Sequence, residues 1–280
     1  MRCDICNSNQ SSNLYVDIKR CNNCGHIFAN LSLSNNELKK IYDTDYFESA
    51  EYKDYKSETV AINKNFNRLL LKLKKHLQNT KQKKLLEVGA AYGFFINIAK
   101  LHFNLAIGTE IASEPSRYAR ENYNIDVRNL DIIEWDFDNI KFDLVCMWDV
   151  IEHLHSPNKY LQKLSVNMKK NSIIALTTPD IGSLVARVRK QNWRQIHPPT
   201  HVHYFNKKSI ETILNNNGFK IIEYTHFGRY RSLGMIFYII FVLRLKIPII
   251  YNIISFLKLD KVNTYLNLFD EMLVIAKKIN

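Results

Sequence analysis

Four of the five cysteines fall at the start of the 280-residue chain, as Cys3-x-x-Cys6 and Cys21-x-x-Cys24, with Gly25 and His26 directly behind the second pair. Two thiolates from each of two tight turns satisfy a tetrahedral Zn2+ ion. Gly25 suits the turn that wraps the second pair back onto the metal. Four sulfurs complete the shell, so the expected ion is structural zinc on Cys3, Cys6, Cys21 and Cys24, with His26 a neighbour. The remaining Cys146 lies between Val145 and Met147 and reads as core. A second pattern runs Glu87-Val88-Gly89-Ala90-Ala91-Tyr92-Gly93-Phe94. It reads as strand end, tight turn and helix start. Gly89 lets the chain approach a ligand without a Cβ, and Gly93 opens a helix whose N-terminus carries partial positive charge. Glu110 ends the next apolar run, where a carboxylate can accept both hydroxyls of a ribose. Glu87 would repel a pyrophosphate but suits a cofactor with an amino-acid tail and a cationic sulfonium.

The stretch resembles motif I of the class I, Rossmann-like methyltransferases, usually (Glu/Asp)-x-Gly-x-Gly-x-Gly, with Ala91 standing at the middle glycine. The resemblance continues through Asn129-Leu130-Asp131, then Asp149-Val150-Ile151-Glu152-His153-Leu154 with Pro157, then Thr178-Pro179-Asp180, Trp193 and the segment from His197 to Phe205. It covers roughly residues 84–226 and the final apolar run. It is similar to small-molecule methyltransferases of the ubiquinone-biosynthesis and sugar-modifying kind. The resemblance implies S-adenosyl-L-methionine as cofactor, held by Glu87, Gly89, Ala91, Gly93, Glu110, Asp131 and Asp149. Asp131 falls where the family places an acid near the adenine amino group. The double CxxC ahead of such a domain is similar to deoxysugar methyltransferases. The further C-terminal domain usual in their C-methylating members has no counterpart here, which weakens carbon methylation.

Methyl transfer is an in-line displacement in which alignment contributes roughly 7–11 kcal/mol. An acceptor hydroxyl, enol or amine also loses a proton, and histidine suits that task near neutral pH. His153, His201 and His203 are the candidate bases, with Glu152 as an alternative; each histidine can equally be structural. Trp148, Trp193, Tyr204 and Phe205 are candidates to line an acceptor pocket or to pack as core. Tyr42, Tyr46 and Phe47 are candidates to cover the cofactor.

The elements that must position these residues follow from periodicity. Ile62, Phe66, Leu69, Leu70 and Leu73 recur at helical spacing and predict a helix over about 57–78. Short apolar runs at 85–88, 105–108, 142–147, 172–176, 219–222 and 272–276 alternate with helical segments. That alternation predicts an α/β fold: a doubly wound, mostly parallel seven-stranded Rossmann-like sheet with ligands at the strand C-termini. The expected organisation is a zinc-binding module over 1–30, a helical linker and cofactor lid over 31–80, and the methyltransferase domain over 81–280. Within it, 229–268 reads as an apolar insertion before the last strand: either two packed helices or a patch lying on a membrane surface.

Composition bounds the rest. At 46% hydrophobic and 24% charged residues the chain is of the soluble globular kind. No run of 18 apolar residues predicts a transmembrane helix, and Met1-Arg2-Cys3-Asp4 does not read as a secretory signal. The expected location is cytoplasmic, with peripheral contact at the inner membrane face through 229–268 as an option. A net charge of +12 favours anionic partners, although abundant scattered lysines explain it as well. The favoured partner is a small-molecule acceptor, a sugar or nucleotide-sugar of surface glycan biosynthesis. Nucleic acid is the first alternative, as for a ribosomal RNA base methyltransferase with a zinc module; an arginine-rich stripe and an Asn-Pro-Pro-Tyr-type motif are both missing. A quinone or lipid-linked acceptor, or a non-enzymatic zinc-ribbon adaptor with Ala91 as its mark of decay, are the others.

Overall fold

The N-terminal residues form a small antiparallel sheet of β1 (Ser11–Tyr15), β2 (Ile18–Cys21) and β3 (Ile27–Ala29). In this computed structural model the described residues are 2–31, 58–256 and 262–279. Tyr42, Tyr46 and Phe47, expected over the cofactor, lie outside them. Helix α1 (Thr59–Lys74) follows, its buried residues Ala61, Asn65, Leu69, Leu70 and Leu73 spaced along one stripe. The amphipathic pattern is what makes it pack. It is four residues shorter at its C-terminus than the expected span.

Then comes the alternating unit: β4 (Lys84–Val88), α2 (Phe94–Ala99), β5 (Leu105–Glu110), α3 (Ser113–Tyr123), β6 (Asp126–Asn129), β7 (Phe142–Trp148), α4 (Pro157–Val166) and β8 (Met168–Pro179). After α5 (Leu184–Arg189), a two-residue strand β9 (His203–Tyr204) precedes α6 (Lys207–Asn216) and β10 (Phe219–His226). The chain ends on β13 (Glu271–Lys278) after an insertion of β11 (Arg229–Ser232), α7 (Leu233–Phe237), a π-helical turn Tyr238–Arg244, α8 (Pro248–Phe256) and β12 (Asn263–Leu266). The main sheet has the order β10-β13-β8-β7-β4-β5-β6. β4 to β8 pair in parallel, and β13 alone runs antiparallel to both of its neighbours.

All seven residues of β7 are buried, as a central parallel strand covered on both faces requires. Alternate residues feed two cores. Leu86, Val145 and Ile174 face one side, and Leu85, Leu144 and Cys146 face the other with α1. Cys146 is therefore core, as expected. The chain winds from β4 outward to β6, then returns to β7 on the opposite side of β4. This switch leaves a crevice at the strand C-termini.

Several elements differ from the sequence reading. β6 was not foreseen, because an edge strand reading Asp-Val-Arg-Asn buries only Val127. The ends of the 229–268 insertion are not helical. β11 and β12 pair antiparallel as a separate ribbon, and helices occupy only the middle.

The small sheet is not isolated from the large one. β9 joins it as a fourth strand, with Ile27 opposite Tyr204 and Phe28 opposite His203. Cys3, Ile5, Cys21 and Phe28 belong to the same apolar core as β4 and β7. The Asp4 carboxylate accepts from the Asn158 amide at 2.9 Å, capping the first turn of α4 from a distant segment.

Candidate active site

The turn between β4 and α2 is built from left-handed backbone. Gly89 has φ +73°, and a Cβ there would come within 2.5 Å of Val150 Cγ2. Ala91 carries φ +44°, a region that costs an L-residue roughly 1–2 kcal/mol. Its amide donates to Glu110 Oε2 at 2.8 Å, which fastens the turn to the end of β5. Gly93 is also left-handed, but it does not line the crevice. A Cβ there would come within 2.5 Å of Ile125 Cδ1 and 2.8 Å of Ala119 Cβ, so this glycine serves close packing of α2 against α3.

A cleft of about 1140 Å³ opens above the C-termini of β4, β5 and β7, and Glu87, Gly89, Ala91, Glu110, Asp131 and Asp149 all line it. Glu87 is 2% exposed, and its Oε2 has no hydrogen-bond partner. Burial, reinforced by the Glu110 charge, pushes its carboxyl well above the usual range. Such an orphaned acceptor fits a ligand that brings N–H donors or positive charge. Glu110 Oε1 accepts from the Ala112 amide at 2.9 Å, so each of its oxygens keeps a lone pair for a ligand hydroxyl. Asp131 is oriented by Tyr160, whose hydroxyl donates to Oδ2 at 2.7 Å. Asp149 sits between Thr177, which donates to Oδ1 at 2.8 Å, and Arg229, whose Nη2 lies 2.5 Å from Oδ2. Burial opposes ionisation there, but Arg229 and Thr177 outweigh it and hold the carboxyl below its ordinary value.

The other half of the cleft carries Glu152, His153, His197, His201, Arg194 and Arg231. One ligand atom from each of Glu152, His153 and His201 lies within 4.8 Å of the other two. His153 Nδ1 donates to Thr200 O at 2.8 Å, and His201 Nδ1 donates to Gln195 O at 3.0 Å. The chain between them turns through a cis Pro198–Pro199 bond. Burial pushes His153 down to about 4 and depresses His201 strongly. Burial also raises Glu152 well above the carboxylate range, and the neighbouring Asp149 charge adds to the effect. Arg231 is held below its usual range by burial and by the guanidinium groups of Arg229 and Arg194.

His203 departs from expectation. It does not line the cleft; its place in β9 turns it toward the small sheet, where Nδ1 lies 2.9 Å from His26 Nε2. Of the four aromatics considered for an acceptor pocket, only Trp148 lines the cleft. Trp193, Tyr204 and Phe205 are at most 2% exposed and serve as core. Asn65, Arg194, Arg229 and Arg231 line the cleft without having been foreseen. Three of these sit in the insertion or on α1, and no motif distinguishes an arginine that faces a ligand from one that faces water.

The four N-terminal sulfurs converge as their spacing predicted. Cys3 and Cys24 Sγ are 3.6 Å apart, Cys6 and Cys21 Sγ 3.5 Å, and all four lie within 4.8 Å of one another. Ligands at the usual Zn–S length of about 2.3 Å would stand roughly 3.8 Å apart, so the cluster fits zinc. His26 stays outside this group and is fully buried behind it.

A nucleotide-type cleft at the switch point of a seven-stranded sheet defines the class I methyltransferase fold. Residues 55–224 match the family model described as a methyltransferase domain, and the chain belongs to that family. Among solved structures, magnesium protoporphyrin IX methyltransferase from Synechocystis with bound SAH is similar at TM-score 0.57 and 14% identity, over 88% of this chain and 100% of that one. The YcgJ protein of Bacillus subtilis is similar at TM-score 0.54 and 14% identity, covering 76% and 99%. An S-adenosylmethionine-dependent methyltransferase from Mesorhizobium loti reaches 0.50 and 14%, covering 74% and 96%. No curated protein matches the chain.

Proposed function

We propose that this methyltransferase uses S-adenosylmethionine to methylate a phosphate-bearing small molecule, a sugar or nucleotide-sugar of surface glycan biosynthesis. Bound S-adenosylmethionine supplies an electrophilic methyl carbon on a sulfonium. Glu87 balances the cationic amino-acid end, Glu110 takes the ribose hydroxyls and Asp131 the adenine side. Gly89 and Ala91 form the turn against which the cofactor lies, and Asp149 fixes the edge of the cleft through Arg229. Gly93 contributes by seating α2. The acceptor half holds Glu152, His153 and His201, the groups placed to steer the proton an acceptor hydroxyl must lose. Zinc on the four cysteines is structural and leaves no open position for chemistry.

The observation that carries the acceptor class is the pair Arg194 and Arg231. Both line the cleft, and neither forms an ion pair with a carboxylate among the described residues, Arg231 only feeling the more distant charges of Glu271 and Asp149. Guanidinium groups left unpaired in a cleft bind phosphate bidentately. Methyl transfer from labelled S-adenosylmethionine into an extract of the source cells, fractionated into nucleotide-sugars, lipids and RNA, tests the reading. Label in the nucleotide-sugar fraction is expected; label confined to RNA would overturn it. Arg231→Gln should raise KM for the phosphorylated acceptor roughly 10–100-fold, as loss of a charge-assisted contact does, with S-adenosylmethionine affinity unchanged.

A second reading, a lipid-linked acceptor, is favoured by the insertion. Leu245, Ile247, Ile249 and Ile253 are 43–65% exposed there, beside Lys246. No described helix is long and apolar enough to cross a membrane, so contact would be peripheral. Label in the lipid fraction would favour this acceptor over a free nucleotide-sugar.

A further inference from the structure

We propose that Glu152, His153 and His201 form a second metal site, separate from the cysteine cluster, which binds one divalent first-row cation and keeps a coordination position open toward the acceptor. Two imidazoles and one carboxylate are the ligand set of catalytic rather than structural sites. Their ligand atoms lie within 4.8 Å of one another, and all three residues line the cleft. An ion at roughly 2.0–2.2 Å from each would draw them to about 3.4 Å apart, which small side-chain rotations provide.

The carboxylate supplies the first independent sign. Glu152 is 1% exposed, and its Oε1 has no hydrogen-bond partner. Its Oε2 accepts from Thr178 Oγ1 at 2.9 Å. No lysine, arginine or histidine forms an ion pair with it among the described residues; Arg229 is already shared between Asp149 and Glu271. A buried carboxylate without a counter-charge is unfavourable, and a coordinated cation removes that penalty.

The histidines supply the second. Each donates its Nδ1–H to a backbone carbonyl, Thr200 O for His153 and Gln195 O for His201. A carbonyl only accepts, so both rings are fixed in the tautomer that carries the lone pair on Nε2. That second-sphere hydrogen bond is the usual accompaniment of a metal-ligating imidazole. The backbone holds the set together as well. The amides of Val202 and His203 both donate to Glu152 O, at 2.9 and 3.0 Å, tying the loop after β7 to β9. A cation at this place would lower the pKa of an acceptor hydroxyl, whose proton would leave to water at the cleft mouth.

The ion's use in catalysis rests on the methyl-transfer reading above; its binding does not. Mn2+ avoids cysteine sites because it prefers oxygen and nitrogen ligands. Titration of the zinc-loaded full chain with Mn2+, followed by the paramagnetic resonance of free ion, should show one bound Mn2+ per chain. Glu152→Gln and His201→Asn should each weaken it at least tenfold, while S-adenosylhomocysteine binding confirms that the variants are folded. Should a variant fail to fold, Co2+ added to the zinc-loaded wild type should give visible ligand-field bands without sulfur-to-cobalt charge transfer. Absence of any bound Mn2+ and Co2+ beyond the cysteines, or variants that bind as tightly as wild type, would overturn the site. Failure of S-adenosylhomocysteine to bind the wild type would instead overturn the methyl-transfer reading and leave the metal result standing.

Discussion

Glu110 does two jobs with one carboxylate: it fastens the Ala91 and Ala112 amides and faces the cleft. Glu110→Gln keeps the size but removes the charge and leaves one of the two backbone amides facing an NH2 that cannot accept, so S-adenosylhomocysteine affinity measured by calorimetry should fall at least roughly 10–100-fold, the range for a charge-assisted pair. Unchanged affinity would remove the ribose role. At Gly89 the prediction is steric. Gly89→Ala puts a methyl against Val150 and should cost about 1–3 kcal/mol in denaturant unfolding; Gly89→Ala with Val150→Ala should recover part of that. Ala91→Gly is the converse. Relief of the left-handed strain at φ +44° offsets the added chain entropy, so stability should change by less than about 1 kcal/mol and cofactor binding should persist.

At the level of elements, legibility followed burial. β4, β5 and β7 stood out because central parallel strands are apolar on both faces. β6 did not, since one buried valine suffices for an edge. β9, β11 and β12, which the sequence reading also lacked, are short or polar strands whose partners lie far along the chain. For the same reason His201 and His203 could not be told apart: register with Phe28 sends His203 toward His26, and nothing local records that pairing. The CxxC pairs were legible because each ligand pair lies within one turn. Cys21→Ser should release zinc and lower the thermal midpoint. Because β9 also hydrogen-bonds Glu152, methyl transfer should fall with it; a variant that keeps both stability and activity would exclude the coupling.

For the whole molecule, acid sensitivity has an identifiable source under the sheet. Asp143, 7% exposed on its side chain, meets Lys169 at 2.8 Å and Lys83 at 3.3 Å and accepts from the Lys84 amide. Burial opposes its ionisation, yet these partners hold its pKa below the ordinary value. The stabilisation is therefore present above the unfolded pKa of about 3.9 and is lost as pH falls through the depressed folded value. Asp143→Asn should cost about 1–2 kcal/mol at neutral pH, the partly exposed lysines keeping it low. The variant's denaturant midpoint should also vary less between pH 5 and pH 2 than the wild type's.

The pairing of β3 with β9 sets an order on synthesis. His26 and its partner His203 are separated by 177 positions. The cysteine turns leave the ribosome early, and all four sulfurs lie in one short segment. Their sheet then carries an unpaired edge, a hazard for association with other chains, until the segment that supplies β9 has been made. At synthesis rates of roughly 5–20 residues per second that interval is on the order of ten to thirty seconds. The same late event brings His201 to Glu152, so the cysteine cluster is complete well before the Glu152 side of the cleft is assembled.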